Sequence, residues 1–145
     1  MSEDGLSDDI VADILRSTRS FAVVGASNKP DRPSFDVMKF LMARGYEVHP
    51  VNPGLAGQKI LGRQVYARLA DVPAPVDAVD IFRASDAALD IVREAIAEKD
   101  RLGLEVVWMQ LGVVNADAAH EAADAGLAVV MDRCPKIETA RLRLT

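Results

Sequence analysis

The chain has 145 residues, of which 50% are hydrophobic, 27% charged and 5% aromatic. That length suits one domain of roughly 100–200 residues, and no separate substrate domain of a large two-domain enzyme is expected. Lysine and arginine number 17 against 22 aspartates and glutamates, a net charge of −5, which argues against a general nucleic-acid binder because that role needs a basic face.

Residues 7–17 carry Ile10, Val11, Ile14 and Leu15 at the spacing of one helical stripe, with Ser7, Asp8 and Asp9 suited to its start. The run FAVV at 21–24 is apolar without alternation, the pattern of a strand buried on both faces of a parallel sheet. A polar loop follows, then a helix from a Ser34 cap to about Ala43, ended by Gly45. Residues 46–51 predict a second strand, followed by a turn at Asn52, Pro53 and Gly54. Between 55 and 75 the pattern weakens to a short strand at Val65 and Tyr66 and a helical turn at 68–71. A clearer strand spans 76–82. Ser85 or Asp86 can cap the next helix, which bears Leu89, Val92 and Ile96 on one face. A strand at 104–109, a helix at 115–125 stopped by Gly126, and a last strand at 127–131 complete the order.

Strands alternating with helices predict an α/β fold. It is a single Rossmann-like domain with a mostly parallel sheet and helices on both faces, spanning 18–145 after an N-terminal helix within 1–17. In such sheets ligands bind beyond the carboxyl ends of the strands, where the strand order reverses. That prior directs attention to 25–34, 52–54, 82–85, 110–115 and 132–135.

The loop after the first strand is the most informative. Gly25 permits a sharp turn, and the small Ala26 and Ser27 let a ligand approach the backbone. The next helix start can favour an anion, with Lys29 and Arg32 adding charge. An ordinary strand-to-helix turn fits the same residues. Only Gly25 is present of a G-x-G-x-x-G pattern, and no G-x-x-x-x-G-K-[ST] occurs. Nicotinamide dinucleotides also want an acid at the end of the second strand, where this chain has Val51, Asn52 and Pro53.

Five segments in order resemble the small stand-alone CoA-binding proteins of bacteria, the YccU-like group. They are VGASNKPDRPS (24–34), HPVNP (49–53), VDIFR (79–83), WMQLGV (108–113) and MDRCP (131–135). That group is similar to the N-terminal CoA-binding domain of the succinyl-CoA synthetase alpha subunit and of ADP-forming acyl-CoA synthetases. The resemblance implies a Rossmann-like domain with coenzyme A or an acyl-CoA lying across the strand ends. It implies that Gly25, Ala26 and Ser27 meet the phosphate-bearing part and that Val51, Asn52 and Pro53 flank the adenosine. Phe82 and Arg83 would line the next strand end, and Gln110 and Gly112 the pantetheine path. Lys29 and Arg32 join this set on physical grounds, as the nearest loop cations to a polyanion. The synthetases also carry a phosphorylated histidine in a second domain, for which this chain has no room. His49 in a strand and His120 in a helix read as packing or surface residues.

Other residues offer weaker chemistry. Cys134 ends the last strand beside Arg133, whose charge could favour a thiolate open to exchange with the CoA thiol; a small buried cysteine with no chemistry is the more common case. Asp77 and Asp80 fall on opposite faces of one strand, with no metal-ligand pattern. Asp132 suits a hydrogen bond to backbone or to Arg133, and Trp108 suits the core, its indole N–H needing a partner. Residues 136–145 suit a surface tail or a dimer contact.

A lone cysteine gives no internal disulfide and fits a reducing compartment. No apolar run reaches the roughly 18 residues of a membrane span, and the acidic start lacks the character of a secretory signal. The expectation is a cytoplasmic, non-catalytic module that binds coenzyme A or an acyl-CoA as carrier, sensor or regulator. It uses no metal, nucleic acid or membrane; a homodimer or a protein partner stays open. The rivals are a dinucleotide-dependent oxidoreductase and an acyl-CoA-transforming subunit that needs a partner chain.

Overall fold

The computed structural model describes residues 4–144. Helix α1 (Asp8–Ser17) is capped by Ser7, whose hydroxyl accepts from the Ile10 N–H at 3.3 Å, with Asp8 and Asp9 in its first turn. Both acids oppose the positive helix end. Strand β1 (Ser20–Val24) is buried throughout and leads through a loop to α2 (Pro33–Ala43) and β2 (Glu47–Val51). A small antiparallel hairpin, β3 (Lys59–Ile60) and β4 (Arg63–Gln64), follows. Then come β5 (Ala78–Ile81), α3 (Ala88–Ala97), α4 (Lys99–Leu102), β6 (Val106–Met109), α5 (Ala116–Asp124), β7 (Ala128–Val130) and α6 (Pro135–Arg141).

The main sheet has the order β2-β1-β5-β6-β7, and every adjacent pair is parallel. Connections from β1 run outward in both directions, so the order reverses between β1 and β5, where a crevice opens. Strand side chains alternate between two cores. On one face Val79 and Ile81 of β5 meet Ile91 and Val92 of α3 and Ala118 and Ala122 of α5. On the other, Ala78 meets Leu15 of α1, Val37 and Met38 of α2, and Trp108. The indole of Trp108 is fully buried and donates to the Arg133 carbonyl at 2.8 Å. The expected single α/β domain with a Rossmann-like parallel sheet is what forms.

Several local expectations change. Helix α2 starts at Pro33, after Arg32, so Ser34 is not its cap. Proline loses nothing in the first turn, where its missing N–H would have no partner. Ser85 and Asp86 do not cap α3 either; both lie in a 3-10 turn, Ser85–Ala87, that runs into it. The expected strand at Val65 and Tyr66 reduces to one parallel bridge between Tyr66 and Val51. The C-terminal segment contains a helix, α6, packed against α1 and α2. Seven residues are too few for a helical period to stand out, and tertiary contacts hold such a helix in place.

Arg133 fastens the chain ends together. Its guanidinium donates to Asp4 and Glu138 and to the Leu6 carbonyl. Asp132, expected to bond either backbone or Arg133, takes the first option and accepts from the Gly112 N–H at 2.7 Å.

Candidate functional site

The crevice between β1 and β5 depends on Gly25. Its φ is +92°, and a Cβ there would lie 2.4 Å from the Phe82 carbonyl oxygen and 2.9 Å from Arg83 Cδ. The end of β1 therefore passes against the exit of β5 with no room for a side chain. The Phe82 N–H donates to the Val24 carbonyl at 2.8 Å, closing the same junction.

Beyond Gly25 most of the loop's backbone donors are spent within the protein. Gly25 and Ala26 both donate to the Val51 carbonyl, at 3.0 and 3.3 Å. Ser27 N–H donates to Ser34 Oγ at 3.0 Å, and Lys29 N–H to Ser27 Oγ at 3.1 Å. Gly25, Ala26 and Ser27 thus offer a ligand close approach rather than backbone donors. The N–H groups of Asn28 and Ser34 have no hydrogen-bond partner among the described residues. Ser34 stands in the first turn of α2, where the helix field also favours an anion.

Asn52 holds the second wall. Its Nδ2 donates to the Ala26 carbonyl and its Oδ1 accepts from the Gly54 N–H, both at 2.8 Å. An aspartate could make only the second of these bonds. The residue that argued against a nicotinamide dinucleotide is thus a two-sided clamp between the β1 and β2 loops.

Three adjoining clefts follow the carboxyl edge of the sheet. One of about 500 Å³ is lined by residues 25–29, Arg32, Ser34, Asn52 and Phe82. A second, about 410 Å³, lies toward α3 and is lined by Val51, Asn52, Pro53, Arg68, Arg83 and Glu94, with Gly25 shared. A third, about 610 Å³, runs between α2 and α6 and is lined by Phe82, Arg83, Gln110, Leu111, Cys134 and Ile137, among others. Each is within the size range of small-molecule sites. Lys29, Arg32 and Arg83 form no ion pair among the described residues, whereas Lys136 is bound to Asp36 at 2.8 Å.

Eleven of the twelve expected site residues line one or more of these clefts: Gly25, Ala26, Ser27, Lys29, Arg32, Val51, Asn52, Pro53, Phe82, Arg83 and Gln110. Gly112 lines none of the three; it is held by Asp132 and by Ser85, whose hydroxyl donates to the Gly112 carbonyl. Leu111 and Ile137 were not foreseen. Leu111 sat unremarked inside a recognised motif, and Ile137 in a segment with no readable periodicity.

Cys134 is 6% exposed on the wall of the third cleft. The neighbouring Arg133 guanidinium is engaged by the carboxylates of Asp4 and Glu138. His49 is buried in β2, and that burial holds its imidazole below the usual value against the opposing pull of Glu47. Neither His49 nor His120 lines the three clefts.

Beneath the third cleft lies Asp80, fully buried in β5. With its amide nitrogen turned inward, Gln110 donates to both Asp80 oxygens at 3.3 Å. Burial pushes the Asp80 carboxyl well above the usual carboxylate range.

A family model described as a CoA binding domain matches residues 19–140. The chain is 37% identical over 130 residues to the uncharacterized protein YneT of Bacillus subtilis (strain 168), covering 90% of this chain and 92% of that one. It is 35% identical over 98 residues to the alpha subunit of the ADP-forming acetate–CoA ligase I of Pyrococcus furiosus. That match takes in 64% of this chain but 20% of the ligase subunit. Among solved structures, a hypothetical protein from Pyrococcus horikoshii OT3 superposes with a TM-score of 0.90 at 38% identity, covering 99% of this chain and 96% of the other.

Proposed function

The chain belongs to the CoA-binding domain family, and from that premise we propose that it binds coenzyme A or an acyl-CoA and holds it without transforming it. The observation that carries this reading is the set of three joined clefts at the strand-order reversal, cationic at one end and apolar at the other. Coenzyme A is itself polyanionic at its nucleotide end and uncharged along its pantetheine arm.

In this reading the phosphates lie in the cleft of Lys29 and Arg32, facing the free N–H groups of Asn28 and Ser34. The adenosine takes the cleft flanked by Val51, Asn52 and Pro53, and the pantetheine passes Phe82 and Gln110 toward the third. A net charge of −5 does not oppose this, because local cations and a helix start govern the field inside a cleft.

Calorimetric titration with coenzyme A, acetyl-CoA, dephospho-CoA and NAD tests the reading. Coenzyme A and acetyl-CoA are expected to bind and NAD to give no heat. NAD binding without coenzyme A binding would replace this reading with the oxidoreductase.

The likeness to part of a ligase subunit favours a second reading, a CoA-holding piece that works with a partner chain. Release of free thiol from acetyl-CoA in the presence of ADP and phosphate, by this chain alone or with a co-purifying protein, would support it.

A further inference from the structure

The third cleft, about 610 Å³, is the largest of the three. At its inner end it shares Pro33 and Phe82 with the phosphate cleft and Arg83 with the cleft toward α3. Farther out the walls are Val113 and Ala140, with Leu111 and Ile137 exposed by 56% and 51%. Large apolar side chains left this open, on two different elements yet lining one groove, form the kind of patch that marks a binding surface.

The polar groups of the groove are largely engaged. Lys136 and Asp36 neutralise each other at 2.8 Å, and the Gln110 amide can turn inward to Asp80. Arg83, the one lining cation without a carboxylate partner among the described residues, stands at the boundary with the phosphate region. Among the described residues the outer groove therefore offers no unpaired cation to a ligand carboxylate, and burying a charge unpaired is strongly unfavourable.

We propose that the outer groove between α2 and α6, walled by Leu111 and Ile137, receives the hydrocarbon chain of an acyl-CoA. The preferred ligand is then an acyl-CoA with an uncharged aliphatic chain, above both free coenzyme A and acyl-CoAs that end in a carboxylate. This rests on the CoA-binding reading and adds to it the class of acyl group. The groove is committed to this occupant because it shares Pro33 and Phe82 with the cleft that would hold the rest of the same molecule.

Titration with coenzyme A and with acetyl-, butyryl-, octanoyl- and succinyl-CoA tests the proposal. Each buried methylene is worth roughly a fourfold gain in affinity. Octanoyl-CoA is therefore expected to bind at least about tenfold more tightly than acetyl-CoA, and butyryl-CoA more tightly than succinyl-CoA of equal carbon count. In the variant carrying Leu111→Asp and Ile137→Asp, the octanoyl-to-acetyl affinity ratio is expected to collapse toward about one. An unchanged thermal midpoint would show that this variant is folded. Coenzyme A binding with no chain-length preference would overturn the acyl assignment and leave the CoA reading standing. A ratio that survives in the folded variant would also overturn it. Absence of binding by every CoA compound would remove both. A wild-type dimer that the variant converts to a monomer, without a change in the acyl ratio, would assign the groove to a second copy of the chain instead.

Discussion

Asn52 Nδ2 donates to the Ala26 carbonyl across 2.8 Å, tying the end of β2 to the loop that leaves β1. That bond joins two walls of the cleft to which the phosphates are assigned in our proposal. Asn52→Asp cannot donate it and adds a negative charge where a phosphate would lie. The variant is expected to lose about 1–3 kcal/mol of stability from the unpaired carbonyl. Its CoA affinity should also fall below that of Asn52→Ala, which removes the clamp but adds no charge. Denaturant melts paired with calorimetry separate the two effects, and equal affinities for the two variants would show that charge at this wall is unimportant.

Gly25 and Gly112 both adopt a positive φ, +92° and +88°, but only Gly25 is crowded. Gly25→Ala would drive a Cβ into the Phe82 carbonyl, whereas Gly112→Ala meets nothing within 4 Å. We expect Gly25→Ala to cost about 2–4 kcal/mol and Gly112→Ala about 1 kcal/mol, the cost of the conformation alone. Urea unfolding of both variants measures the difference. Equal costs would mean that the β1–β5 junction yields to a methyl group.

Lys29 and Arg32 are exposed and without carboxylate partners among the described residues. Reversing both, Lys29→Glu with Arg32→Glu, is expected to weaken CoA binding by roughly tenfold or more at low salt. The loss should shrink as ionic strength rises and the Debye length contracts. Unaltered affinity at low salt would place the phosphates elsewhere.

Asp80 gives the protein a pH signature. Its folded carboxyl titrates above the ordinary value of 3.8 because burial disfavours the charged form. The folded state then holds a proton that the unfolded chain releases. The corresponding stability is complete below 3.8 and is lost as pH rises toward the folded value. Asp80→Asn keeps the shape and removes the titration. Its stability relative to the parent should therefore increase as pH rises above 3.8 and level off once the folded carboxyl has titrated. A difference that does not change with pH, from urea unfolding of both proteins, would show that Asp80 is not held protonated.

Much of this protein was determined by its sequence alone. Unbroken apolar runs such as that at 21–24, alternating with helical stripes, specify a parallel α/β sheet because each run must be covered on both faces. The small residues around Gly25 marked a candidate loop. The resemblance named nine positions that line the clefts, and charge added Lys29 and Arg32. The tertiary structure decided which groups remain available. Only the meeting of β1, β2 and α2 consumed the N–H groups of Gly25, Ala26 and Ser27 and left those of Asn28 and Ser34 without a partner among the described residues. Only the packing of α6 beside α2 joined Ile137 to Leu111 across 26 positions of sequence and made an apolar groove. Local pattern records what a segment must bury. Hydrogen-bond partners and cleft walls arise between segments distant in the chain, and no window of sequence contains them.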